Sequence, residues 1–298
     1  MDTLNINICP ICGNNHFLHE LNCVDHYATG EKFELLKCSE CGFVFTQDAP
    51  DESKIGRYYE TPDYISHSDT TKGLMNRVYH WVREYMLRRK SSLVVNESKK
   101  ANGLILDIGT GTGYFSNKMK SIGWDVKAIE KNPQARDFAK QHFNLDVDDE
   151  NSLGYYESGS FDAITLWHVM EHLQNLNVTW ETLGRLLKDD GVLVVAVPNP
   201  TSYDANYYKE WWAAYDVPRH LWHFSPDVMK KLGEKHGFTL NKSYPMPFDA
   251  FYVSMLTEKY KKNPLSFLKG LWVGFCALIS TFGCKEKSSS MIYIFIKS

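Results

Sequence analysis

Four cysteines fall into two C-x-x-C pairs, Cys9 and Cys12 in CPICG and Cys38 and Cys41 in CSECGF. Each pair places two thiolates on a tight turn, and Gly13 or Gly42 just after it suits the sharp backbone such a turn needs. Four sulfurs can surround one tetrahedral ion at about 2.3 Å and leave no coordination position open. The spacing therefore predicts a zinc ribbon holding a structural Zn2+, and two glycine-followed pairs weigh against a redox dithiol. Cys23, His16, His19 and His26 lie between the pairs as alternative ligands, and Cys23, Cys276 and Cys284 read as unpaired thiols of a reducing compartment.

A second chemistry begins at Gly103, in GLILDIGTGTGYFSNKMKSIGWDVKAIEKNP. It reads as a buried apolar strand, a glycine-rich turn, a helix, and a second strand ending in an acid, the first half of a doubly wound α/β unit. Gly109, Gly111 and Gly113 let the backbone approach a ligand closely, and the positive end of the following helix favours an anionic group. Glu130, ending the second strand, can accept hydrogen bonds from both hydroxyls of a ribose. A dinucleotide fingerprint would need a third glycine where Tyr114 stands, which disfavours NAD.

The segment instead resembles motif I of class I S-adenosylmethionine-dependent methyltransferases, D-x-G-x-G-x-G, matched by Asp107, Gly109, Gly111 and Gly113. SFDAITLWHVMEHLQN and LLKDDGVLVVAVPNP resemble the family's fourth and fifth strand regions. SMIYIFIKS is consistent with its antiparallel final strand. The resemblance implies a Rossmann-like doubly wound sheet and an S-adenosylmethionine site in which Asp107 and the backbone of Gly109, Thr110, Gly111 and Gly113 meet the methionine end and Glu130 holds the ribose. Asp148 and Asp149 fall where the family contacts the adenine amino group, with Trp167 as a neighbour. YISHS and YDVPRHLWHFSP resemble a subgroup acting on small molecules or lipid-like precursors, some with a cysteine-rich head.

Methyl transfer from a sulfonium is an in-line displacement, so the acceptor must be aligned and, at oxygen or acidic carbon, deprotonated. Histidine suits that task near neutral pH. His168 and His172 follow the fourth strand, and His220 and His223 follow the fifth, at the sheet edge where ligands of such folds bind. His168 is favoured because it directly follows its strand, with His172 on the same helical face as packing or capping and Glu171 turned elsewhere. His220 follows Arg219, and the two could meet an acceptor carboxylate or phosphate. The alternative is an Asp216–Arg219 ion pair bracing the loop. Trp211, Trp212, Tyr215 and Trp222 crowd the same insertion and suggest an apolar or flat acceptor, or core.

These groups need a frame, and 298 residues with 43% hydrophobic content supply one large domain plus a smaller attachment. The expected units are a ribbon over 1–45, a helical connector and cofactor lid over 46–100, and a methyltransferase domain over 101–298 with a helical insertion at 245–288. In the connector, Val78, Trp81, Val82, Tyr85 and Met86 have helical apolar spacing, and Arg88-Arg89-Lys90 reads as a solvated helix end. Tyr58, Tyr59 and Tyr64 could cover a cofactor or pack the two units together.

A net charge of −3 with no long basic block argues against general nucleic-acid binding, and the N-terminus lacks a signal-peptide pattern, so a cytoplasmic protein is expected. The apolar segment 271–282 falls short of about 20 residues and reads as core or dimer packing ahead of membrane contact. Rival functions are an RNA or protein methyltransferase guided by the ribbon, and a non-catalytic protein on the same scaffold.

Overall fold

The computed structural model describes residues 3–59 and 74–298, with side chains from His80 onward in the second span. Tyr64, the YISHS segment and the side chain of Val78 lie outside the described residues. A seven-stranded sheet dominates. Its strands are β6 (Leu104–Ile108), β7 (Asp125–Ile129), β8 (Val147–Asp148), β9 (Phe161–Trp167), β10 (Leu187–Pro198), β12 (Phe238–Pro245) and β13 (Ser290–Lys297). They lie side by side in the order β12-β13-β10-β9-β6-β7-β8. β6 to β10 pair in parallel, and β13 runs antiparallel between β10 and β12. This is the Rossmann-like sheet with an antiparallel last strand that the sequence predicted.

The central strands read as unbroken apolar runs because both faces are covered. Along β10, Leu193, Val195 and Val197 enter one core while Val192, Val194 and Ala196 enter another, the period-two alternation of a strand. The helices are α1 (Leu74–Ser98), α2 (Tyr114–Ser121), α3 (Pro133–Phe143), α4 (Leu176–Leu186), α5 (Tyr203–Tyr208), α6 (Pro226–Lys235), α7 (Asp249–Tyr260) and α8 (Ser266–Gly283), of which α5, α7 and α8 share a core with the cysteine-rich head instead of covering the sheet.

The cysteine-rich head is built from β1 (Thr3–Leu4), β2 (Phe17–Val24), β3 (Lys32–Cys38), β4 (Val44–Thr46) and β5 (Ala49–Pro50). Its strands extend past residue 45, and its four-stranded sheet takes one strand, β11 (Trp222–His223), from the far end of the chain. Phe45 pairs with Trp222 and Val44 with His223. Phe43 stacks on Trp222 and Phe224, and Cys9, Ile11, Cys38, Phe43 and Phe45 share a core with Leu176, Trp180 and Leu232. The head therefore runs to Pro50 and shares its core with the larger unit.

α1 differs from expectation. It continues to Ser98, so Arg88, Arg89 and Lys90 lie in its interior. Trp81 is 66% exposed and Tyr85 also faces solvent, while Ser91, Val94 and Ser98 form the buried row, one to two turns C-terminal to the expected stripe. The late insertion is a pair of antiparallel helices, α7 and α8. Gly270 and Gly274 of α8 lie so close to α7 that a Cβ would stand 2.6 Å from the Met255 Cα and 2.8 Å from the Phe251 Cα. α8 is 18 residues long, about 27 Å at the usual rise. By length and composition it is sufficient to cross a membrane, and only 22% of it is buried. The expectation of a segment too short to span is corrected, and so is the core half of the expected core or dimer packing.

Candidate functional site

The carboxyl ends of β6, β7, β8 and β9 lie side by side, because Ile108 pairs with Ile129, Ile129 with Asp148, and Ile108 with Leu166. Asp107, Glu130, Asp148 and Trp167 therefore line one edge. Asp107 is 1% exposed and accepts from the Ser116 hydroxyl at 2.9 Å and the Thr165 hydroxyl at 2.7 Å. Burial pushes its carboxyl up, and hydrogen bonds from Thr110, Thr165 and Ser116 oppose the shift.

The turn after β6 is pinned by Gly109 N–H and Thr110 N–H, both donating to the Ile129 carbonyl. Gly109 (φ +68°) has no room for a side chain, since a Cβ would meet Val169 Cγ2 at 2.4 Å. Gly111 (φ +56°) faces open space, leaving its backbone accessible. Gly113 opens α2 where a Cβ would meet Ala139 at 2.9 Å. One oxygen of Glu130 accepts from Gly111 N–H at 2.8 Å and the other from Asn132 N–H at 2.9 Å. A carboxylate has about four lone-pair sites, so Glu130 retains capacity to accept two hydroxyls. The loop, acid and accessible backbone fit the adenosyl end of a nucleoside cofactor.

Asp148 and Asp149 separate into two roles. Asp149 caps the turn Glu150–Gly154 by accepting from Asn151 N–H at 2.9 Å. Asp148 accepts from the Tyr156 hydroxyl at 2.7 Å. Trp167 packs edge-on against Phe115, and the Lys90 ammonium lies 4.4 Å from its ring centroid. Burial lowers the Lys90 pKa, and the Asp249 and Asp107 carboxylates counter it. Reading Lys90 as part of a solvated basic run missed this placement; its continuation of the α1 spacing toward Ser91 and Val94 was the available signal.

His168 follows β9 at φ +58°, in left-handed backbone. The chain then makes a single 3-10 turn, Met170–His172, in place of the expected helix. Glu171 is consequently not turned elsewhere. It is fully buried, 3.4 Å from His168 Nδ1, and within 4.8 Å of ligand atoms of His172 and His220. His168 Nε2 lies 3.2 Å from Asp249 at the start of α7, and the imidazole is 34% exposed. Desolvation would lower its pKa, yet the two flanking carboxylates outweigh it and raise the value to about 9. His168 is thus a cation near neutral pH, which does not suit a general base.

His172 Nδ1 lies 3.0 Å from the Arg219 carbonyl, and His220 Nδ1 lies 2.9 Å from the Ala214 carbonyl. Burial and the neighbouring His220 bring the His172 pKa to about 4. A carbonyl only accepts, so each Nδ1 donates its proton there and each Nε2 is left outside that bond. Glu171, His172 and His220 together could hold a divalent cation. His223 belongs to β11 and lies 3.1 Å from the Thr46 hydroxyl, and burial lowers its pKa to about 3.

Arg219 does not face an acceptor. It is 3% exposed and donates to Asp216 at 2.7 Å, Asp25 at 3.0 Å and the Tyr58 carbonyl at 2.8 Å. The loop-bracing ion pair is the reading that holds. Trp212, Tyr215 and Trp222 are buried, and Trp211 stacks on His26 at 4.7 Å, so the aromatic cluster is the seam between head and domain. Tyr58 packs in that seam, whereas the Tyr59 hydroxyl reaches His172 at 3.2 Å.

The four thiols Cys9, Cys12, Cys38 and Cys41 converge with all sulfurs within 4.8 Å. The Cys9–Cys41 and Cys12–Cys38 separations are 3.6 and 3.5 Å, near the edge of about 3.8 Å expected for a tetrahedron of 2.3 Å bonds. The donor set fits zinc. His19 pairs with Glu34 and His26 stacks on Trp211, so neither joins the cluster.

Residues 79–243 match the family model described as "Methyltransferase domain". The chain belongs to this methyltransferase family. The match begins inside α1 and ends in β12, leaving the cysteine-rich head, α7, α8 and β13 outside. Among curated relatives, the chain is 31% identical over 108 residues to the ubiquinone biosynthesis O-methyltransferase of Xanthomonas oryzae pv. oryzae, covering 34% of this chain and 45% of that protein. It is also 31% identical over 105 residues to the mitochondrial ubiquinone biosynthesis O-methyltransferase of Schizosaccharomyces pombe, covering 33% and 38%. The chain thus aligns with less than half the length of these relatives. Among solved structures, the geranyl diphosphate C-methyltransferase of Streptomyces coelicolor A3(2) matches with a TM-score of 0.50 at 11% identity, over 78% of this chain and 86% of that one, a likeness of fold.

Proposed function

We propose that the protein transfers a methyl group from S-adenosylmethionine to a small-molecule or lipid-like acceptor, at oxygen or carbon. The observation that carries the reading is the Glu130 carboxylate held on Gly111 N–H beside a loop whose floor is the buried Asp107. Asp107 and the backbone of Gly109, Thr110, Gly111 and Gly113 would hold the methionine end, Glu130 the ribose, and Asp148 the adenine side, with Trp167 alongside. Asp149, which caps the next turn through Asn151 N–H, is the alternative acid on that side. The cofactor, when bound, supplies a sulfonium-activated methyl group.

The chain's own part is alignment, water exclusion and proton management. The His168 cation, held by Asp249 and Glu171, would bind and orient an acceptor oxygen. His220, oriented by its Nδ1 bond to the Ala214 carbonyl, would take the acceptor proton through Nε2. The names of the relatives, O-methyltransferases of ubiquinone biosynthesis, favour oxygen as the methylated atom. The zinc ion proposed for the four-cysteine cluster is structural, because four thiolates complete its coordination. Incubation with methyl-labelled S-adenosylmethionine and a panel of prenylated and short-chain catechols tests the reading. Label in an organic product, lost in His220→Gln, is expected; no transfer to any member would refute the acceptor class.

A further inference from the structure

We propose that the outward face of α8 docks the protein lengthwise on an anionic lipid bilayer. The packed face of α8 is formed by Gly270, Val273, Gly274 and Ala277. Leu268, Trp272, Phe275, Ile279 and Phe282 follow at intervals of three and four on the opposite side, within an arc of about 80° at helical spacing. All five are exposed, from 47% for Phe275 to 84% for Phe282. A contiguous apolar ridge of this kind marks an interaction surface.

Charge selects the occupant. From Lys259 to Lys287 the sequence holds six lysines (Lys259, Lys261, Lys262, Lys269, Lys285 and Lys287) and one acid, Glu286, in a chain whose net charge is −3. Lys259, Lys261 and Lys262 lie exposed beyond one end of the ridge, Lys285 and Lys287 beyond the other. Basic residues flanking an apolar face with tryptophan are the composition of an interfacial helix on anionic lipid. A second copy on the same face would bring lysine clusters against lysine clusters, which disfavours a dimer.

A perpendicular span is disfavoured by the partner helix. α7 is locked along α8 at Gly270 and Gly274, carries Glu258 and Lys259, and reaches back to His168 through Asp249. Burying α8 upright would drag those charges into hydrocarbon. Docking is independent of which acceptor is methylated.

Co-sedimentation of the full chain with vesicles of equal phosphatidylglycerol and phosphatidylcholine tests this, with pure phosphatidylcholine vesicles in parallel. Pelleting with the anionic vesicles is expected, weaker by about tenfold or more in Lys261→Glu/Lys262→Glu. It should be lost in Trp272→Glu/Phe275→Glu and kept in Tyr155→Glu, an exposed aromatic elsewhere. Circular dichroism of each variant checks the fold, and the lysine variant leaves the ridge intact. Failure of the wild type to pellet, undiminished pelleting of either double variant, or a solution dimer that Trp272→Glu/Phe275→Glu dissociates would overturn the proposal.

Discussion

The guanidinium of Arg219 lies 3.0 Å from the carboxylate of Asp25, across 194 residues of sequence, and both side chains are almost fully buried. This pair, with the β4–β11 ladder and the Thr46 hydroxyl donating to the His220 carbonyl at 2.8 Å, joins the cysteine-rich head to the loop bearing His220. The head is therefore part of the site's foundation.

Removing one partner of a buried charge pair leaves the other uncompensated, a loss of about 3–5 kcal/mol. Arg219→Ala should lower the urea midpoint accordingly. A double-mutant cycle with Asp25→Asn should show strong coupling, and additive losses would show that the pair contributes nothing of its own.

Because Cys9 and Cys38 share the core that holds Trp222 and Phe224, metal removal should loosen the methyltransferase domain as well. Purified protein should carry one zinc per chain by elemental analysis. Cys38→Ser should lower the melting temperature in one cooperative transition. Two separate transitions, with the main one unmoved, would contradict a shared core.

His172 and His223 have folded pKa values of about 4 and about 3, below the ordinary value of 6.5. Below that ordinary value the unfolded chain binds protons the folded one refuses, so stability should fall as pH drops from 6.5 toward 4. His168, raised to about 9, acts in the other direction: its contribution is complete below 6.5 and is lost as pH rises through 9. Urea titrations should therefore give a stability maximum between these flanks. His223→Gln should flatten the acid flank, and an unchanged slope would contradict the assignment.

Gly109→Ala adds a methyl where Val169 Cγ2 stands 2.4 Å away, in backbone that costs an alanine about 1–2 kcal/mol. Val169→Ala in the same chain should restore the steric part of the loss and leave the backbone part. No recovery in thermal melts would mean the overlap is relieved elsewhere.

The sheet was legible because its signals are local. The glycine turn, the apolar runs of β6, β9 and β10 and the acid after β7 each depend on neighbours in sequence, as do the two cysteine turns. What escaped depends on distant partners. Arg219 and the tryptophans of 211–222 look like a binding loop until Asp25, Phe43 and His26 are set against them. The left-handed backbone at His168 replaces the expected helix with one 3-10 turn and swings Glu171 into the histidines. Asp249 approaches His168 from an insertion far downstream, a separation no spacing rule spans.

Isothermal titration of the purified protein with S-adenosylhomocysteine, comparing wild type with Glu130→Ala, bears most directly on the cofactor site. One molecule should bind per wild-type chain, with a loss of about tenfold or more in the variant from the missing ribose acceptor. Absence of binding to the wild type, or equal affinity in the variant, would contradict it.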